Sequence, residues 1–205
     1  ELKLAAMEDA MNFLECPFCF LDEALYKMYF NRLLNNVLDQ DYRKEWLSGG
    51  GLCSKHSLML LEKGSATGQA ILYQDLLNNW QKTWLENKFV CPVCQKIDYN
   101  FEDSKKAFIW GLKNRPEFYE GFLSSDGLCR DHFVKLYQEL AFDTRFQELL
   151  VTVQDKAFCR LNKQLDQLLR QHSYNYQGKK DQPSLRSWKK AARYFISGVE
   201  KKYRV

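Results

Sequence analysis

Six of the seven cysteines and two of the three histidines fall into two copies of one pattern. In the first copy, Cys16-Pro17-Phe18-Cys19 is followed, after a long intervening stretch, by Gly51-Leu52-Cys53-Ser54-Lys55-His56. In the second, Cys91-Pro92-Val93-Cys94 is followed, after a stretch of nearly the same length, by Gly127-Leu128-Cys129-Arg130-Asp131-His132. Thiolates and imidazoles at such spacings are soft metal ligands, and three sulfurs with one ring nitrogen make a closed tetrahedral set with no position left for water. That is the donor set of structural zinc, so two Zn(2+) ions are expected. The sequential grouping is Cys16/Cys19/Cys53/His56 and Cys91/Cys94/Cys129/His132. Knuckles exchanged between the copies are the alternative, and equal loop lengths argue for the sequential order.

Other uses of the same residues fit less well. Disulfides would leave the histidines unexplained, and a redox dithiol lacks its βαβ setting. Haem attachment needs a histidine where Phe20 and Gln95 stand. Iron–sulfur clusters remain as the rival, because histidine replaces cysteine in some of them. Cys159, beside Phe158 and Leu161, reads as a small core residue. His172, after Leu168-Leu169, reads as a cationic ring at a helix C-terminus. No phosphate loop, nucleophile elbow or Ser/His/Asp ordering is present, so the chain does not read as an enzyme.

The pattern is part of a longer repeat. Tyr42 to Leu60 (YRKEWLSGGGLCSKHSLML) aligns without a gap on Phe118 to Leu136 (FYEGFLSSDGLCRDHFVKL). Two copies are too few for a solenoid, and a pseudo-symmetric pair of units fits better. The boundaries expected are 1–63 and 69–140 for the two Cys3His units and 143–205 for a long helix with a short basic one, all in one compact domain.

The elements that must position these ligands read as helices throughout. Leu21, Leu25, Met28, Tyr29, Leu33, Leu34, Val37 and Leu38 recur at helical spacing, one apolar stripe. Ile71, Leu72, Leu76, Leu77, Trp80, Trp84 and Leu85 make a second between Gln69 and Lys88. The longest runs from Asp143 to Gln171. A polar hinge at Gly178 to Pro183 precedes an amphipathic helix whose stripe is Trp188, Ala191, Ala192 and Phe195. Proline after the first cysteine suits the first turn of a helix. Gly49-Gly50-Gly51 and Asp126-Gly127 suit a reversal through a left-handed residue, leaving Cys53/His56 and Cys129/His132 on the opening turn of the next helix. No alternating run is long enough to build a sheet. The expected fold is all-α, with two duplicated metal-binding helical units packed as a pseudo-symmetric bundle.

Composition agrees. Of 205 residues 45% are hydrophobic and 27% charged, with only 10 Gly and 4 Pro, which excludes low-complexity disorder and leaves few turns for an all-β sandwich. No apolar run approaches the length of a membrane span, and a basic-then-apolar leader is not seen at Glu1 to Met11. A cytoplasmic protein is expected. Residues 170–205 hold ten basic and two acidic side chains, so this segment carries +8 against a net +4, and −4 remains for the rest of the chain. With Tyr174, Tyr176, Trp188 and Tyr194 among its cations, the segment is a candidate for nucleic acid, although docking on its own bundle is the favoured reading. The function expected is a metal-stabilised helical binding or adaptor module for a protein partner.

The motifs Cys16-Pro-Phe-Cys19, Gly51-Leu-Cys53-x-x-His56, Ile71-Leu-Tyr-Gln-Asp-Leu76, Cys91-Pro-Val-Cys94 and Gly127-Leu-Cys129-x-x-His132, closed by His172-x-Tyr174…Trp188…Gly198, together resemble an uncharacterised prokaryotic family. The resemblance spans nearly the whole chain. It implies the duplicated metal-binding helical layout and nothing about a substrate.

Overall fold

Pro17 and Pro92 each open a long helix, as a ring with fixed φ and no N–H allows at a first helical position. The computed structural model describes residues 2–12, 15–86, 89–172, 178 and 182–195, and every regular element among them is helical. The order is α1 (Leu2–Asn12), α2 (Pro17–Asn35), α3 (Gln40–Ser48), α4 (Ser54–Leu61), α5 (Ala66–Asn78), α6 (Pro92–Asn114), α7 (Pro116–Ser124), α8 (Arg130–Glu139), α9 (Thr144–Gln171) and α10 (Gln182–Phe195), with a π-helical turn at Lys82–Glu86. The all-α expectation holds.

The chain divides differently from the expected 1–63, 69–140 and 143–205. It forms two compact units rather than one domain. One, inner in sequence, is Ala24–Asp103; the other, outer in sequence, is Glu1–Glu23 with Ser104–Val205. α2 and α6 each pass from one unit to the other. The repeat boundary therefore does not coincide with the structural one, because each unit takes a half from each copy.

Within the inner unit, Tyr26, Phe30, Leu33, Trp46, Leu52, Leu60, Leu72 and Val93 close a core, and the Trp46 indole donates to the Leu72 carbonyl at 3.1 Å. The outer unit centres on aromatic edges. Phe108 meets Phe18, Phe118 and Phe122 with ring centroids 5.0–5.7 Å apart, a favourable T-shaped geometry.

The repeat survives in the backbone. Gly51 and Gly127 are both left-handed, at φ 95° and 71°. Cys53 and Cys129 follow as extended N-cap residues with φ/ψ of −64°/163° and −66°/161°. At Gly127 a Cβ would lie 2.6 Å from Oε1 of Gln154, which itself accepts the Leu128 N–H at 3.0 Å. Gly127→Ala should therefore cost about 2 kcal/mol, from the left-handed backbone and the strained hydrogen bond. A melting temperature equal to the parent's would refute that account.

Two stripes differ from expectation. On α2 the buried face runs through Phe18, Tyr26, Phe30 and Leu33, while Met28 faces solvent; in the turn beyond its end Val37 is buried and Leu38 exposed. The helix is apolar on two sides, and Leu25, Met28, Tyr29 and Leu33 line an open groove of about 490 Å³ instead. On α10 the expected stripe fails too. Trp188 and Phe195 are exposed, and the buried positions are Ser184, Ser187 and Tyr194. Small serines let α10 approach α9, Tyr194 donates to the Asp126 carbonyl at 2.6 Å, and Lys190 pairs with the Asp126 carboxylate at 2.5 Å. The helix docks as expected, but through a hydrogen bond, an ion pair and the edge-on contact of Tyr194 with Phe158. Much of the segment named for nucleic acid, including Tyr174 and Tyr176, lies outside the described residues.

Candidate metal centres

Four helix starts bring the ligands together. Cys16 and Cys91 directly precede Pro17 and Pro92, and their carbonyls accept the N–H of Phe20 and Gln95, both at 3.1 Å. The first turn then carries Cys19 and Cys94 back over the same end. Cys53 and Cys129 cap α4 and α8, with His56 and His132 on the turn that follows. Each cluster thus sits at two helix N-termini, whose partial positive charge favours thiolate.

All eight expected ligands converge, but not in the expected groups. Cys16, Cys19, Cys129 and His132 form an outer cluster, and Cys53, His56, Cys91 and Cys94 an inner one. The sequential grouping is thereby overturned in favour of exchanged knuckles. Loop length could not decide the matter. The stretch from His56 to Cys91 matches, to within a single position, those from Cys19 to Cys53 and from Cys94 to Cys129. Successive half-sites are thus spaced almost equally along the chain.

In the outer cluster, His132 Nδ1 lies 3.6, 3.4 and 3.2 Å from the sulfurs of Cys16, Cys19 and Cys129, and Cys19 is 3.5 Å from Cys129. In the inner cluster, His56 Nδ1 lies 3.2, 3.4 and 3.5 Å from Cys53, Cys91 and Cys94, and Cys53 is 3.8 Å from Cys94. Within each cluster all four ligand atoms lie within 4.8 Å of one another. Metal–sulfur bonds of about 2.3 Å and metal–nitrogen bonds of about 2.0 Å at tetrahedral angles predict edges of about 3.5–3.8 Å. The donors fit one mononuclear ion per cluster.

The outer ligands polarise one another. Burial pushes the Cys16 thiol well up, with Cys129 and Cys19 adding to the rise. Cys19 is raised chiefly by its contact with Cys129, whereas Cys129 is held far below the thiol range by hydrogen bonds from Cys16 and Cys19. Burial opposes a charged His132, yet Asp22 and the thiolates outweigh it and push the ring up to about 12. In the inner cluster burial raises Cys94 to about 12. For Cys53 burial acts against ionisation, but backbone N–H groups at the start of α4 and the neighbouring sulfurs bring the thiol below its usual value. A divalent cation is the species that lets three such sulfurs ionise together.

One contributor escaped sequence reading. Asp22 Oδ2 accepts from His132 Nε2 at 3.2 Å, the carboxylate–histidine arrangement that fixes a ligating ring so that Nδ1 faces the ion. No spacing rule picks out Asp22, which is simply one turn beyond the knuckle; at the same place after Cys91 stands Ile97. Asp22→Ala should weaken the outer ion by about 10- to 100-fold and leave the inner ion unchanged. Titration with a graded series of chelators reads both sites; equal weakening would reject the assignment.

The two remaining candidates lie apart from both clusters. Cys159 is exposed on α9, not a core residue, because the helix turns that face outward. His172 caps the C-terminal end of α9, as expected.

A family profile described as a family of unknown function (DUF6062) matches residues 3–88 and 74–202. The chain belongs to that family. No curated protein and no solved structure matches.

Proposed function

We propose that this DUF6062 chain is a zinc-stabilised helical module whose two Cys3His ions hold its units in shape for binding a protein partner. The observation that carries the reading is the ligand spacing: four donors within 4.8 Å suit a single tetrahedral ion. In a cluster, ligands on different irons stand farther apart than ligands sharing one ion, so the same spacing disfavours iron–sulfur. Bound zinc would supply folding free energy at a closed site, with no open position for a reacting water. We read the module accordingly as non-catalytic and cytoplasmic, and the duplicated motifs as the signature of its prokaryotic family.

Elemental analysis of protein purified anaerobically without chelator tests this. A colourless protein with two zinc ions per chain is expected. A brown protein absorbing at about 400 nm, or one with no bound metal, would overturn it.

A second reading has one observation in its favour. On α10, Trp188 and Phe195 are exposed and Lys189 Nζ stands 5.5 Å from the Trp188 ring centre. Aromatic faces beside cations are platforms for stacked bases. Lys190 turns to Asp126, so fewer cations remain outward than the sequence count suggests. Binding of single-stranded oligonucleotide that falls with salt and with Trp188→Ala would support the reading.

A further inference from the structure

The helical face that begins near the end of α5 is apolar and open. Leu77, Trp84 and Leu85 are 69%, 72% and 73% exposed, and Trp80, edge-on to Trp84 at 6.1 Å, is 44% exposed. Phe89 extends the patch: its ring and the Thr83 carbonyl both stand 3.6 Å from where a Cβ on Gly50 would be. Sequence periodicity places Leu77, Trp80, Trp84 and Leu85 in a core with Leu72, which is fully buried. The structure leaves them in solvent, and a contiguous patch of this kind marks an interaction surface.

The second repeat shows what belongs there. Leu72 corresponds to Leu150, both buried, and Leu76 to Gln154, each being the side chain nearest a Cβ on Gly51 or Gly127. Both pairs share one offset in the sequence, and the same offset places Trp80 at the position of Phe158. Over Phe158 lies a helix: Tyr194 of α10 meets it edge-on with ring centres 4.9 Å apart. The first repeat keeps the aromatic at Trp80 and widens the apolar face, with Leu77, Trp84 and Leu85 standing where the second repeat has Asp155, Asn162 and Lys163. A basic helix like α10 does not suit it, because α10 is anchored by Lys190 to Asp126, and the residue aligned with Asp126 is Gly50. What fits is a helix with a broad apolar face and no charge at its centre. The stripe is itself such a helix.

We propose that Leu77, Trp80, Trp84, Leu85 and Phe89 form a two-fold interface between two copies of this chain, each stripe covering the other. A two-fold contact is self-complementary by construction. The exposed surface of these five residues amounts to about 700 Å² per copy, so pairing can bury at most about 1,400 Å² through them, a ceiling that lies within the range of stable interfaces.

The test uses the full chain with its metal bound. Sedimentation equilibrium should give twice the chain mass of 24.3 kDa. Trp84→Glu with Leu85→Glu places like charges against each other in the pair and should weaken association at least about 100-fold. Both positions are solvent-facing, so helix content and bound metal should stay at the parent's values, and Trp80→Ala should weaken the dimer by a smaller factor. Three results would overturn the proposal. One is a parent chain that stays monomeric up to about 100 μM. Another is a dimer unmoved by the substitutions. The third is a monomer that binds phosphatidylcholine–phosphatidylglycerol vesicles through Trp84, which would give the face to lipid.

Discussion

Stripping both ions with a strong chelator under reducing conditions should abolish the cooperative thermal transition and most of the helical circular dichroism. Structural zinc contributes on the order of 10 kcal/mol per site to folding, while a domain's whole stability is about 5–15 kcal/mol. Each cluster joins parts of the chain far apart in sequence: the outer one ties the start of α2 to the start of α8, and the inner one ties α4 to α6, where Leu60 and Val93 also share the core. The apolar cores are real but modest, and several large side chains remain in solvent. Zinc returned at two equivalents should restore the transition. Cys159→Ser, at an exposed position, supplies the control and should move stability by no more than about 0.5 kcal/mol. A metal-free chain, verified by elemental analysis, that melts within a few degrees of the parent would show the ions to be incidental.

The ligands were legible in the sequence because their chemistry is local. Proline and glycine fix the backbone on either side of each half-site, and Pro17, Pro92, Gly51 and Gly127 stand where those constraints predict. Pairing of the half-sites is a long-range property, and four ligand pairs spaced at nearly equal intervals carry no information about it. Burial was legible only where one face of a helix is apolar. α2 has Phe18, Tyr26 and Phe30 on one side and Leu25, Met28 and Tyr29 on another, and periodicity alone chose the second. α10 inverts the rule: its inward face is serine and tyrosine, small or hydrogen-bonded, and its tryptophan points out. Asp22 was invisible because a supporting carboxylate obeys no sequence spacing.

Pairs of ligand substitutions should separate the exchanged arrangement from the sequential one by counting ions. Cys53→Ser removes one ligand of the inner cluster and should leave one ion per chain. Adding Cys91→Ser attacks the same cluster, so the double variant should still hold one ion and lose little further stability, since that site's contribution is already gone. Adding Cys19→Ser instead attacks the outer cluster, and that double variant should hold none. Sequential grouping predicts the reverse: Cys53→Ser with Cys19→Ser would keep one ion, and Cys53→Ser with Cys91→Ser would keep none. Should a variant be too unstable to purify, cobalt substitution of milder changes reads the same question. Cys53→His and Cys91→His each keep a ligand, and each should shift the same half of the cobalt visible absorption, whereas Cys19→His should shift the other half. If Cys53→His and Cys19→His altered one common band, each knuckle would serve its own repeat and the inner and outer clusters would be wrongly drawn.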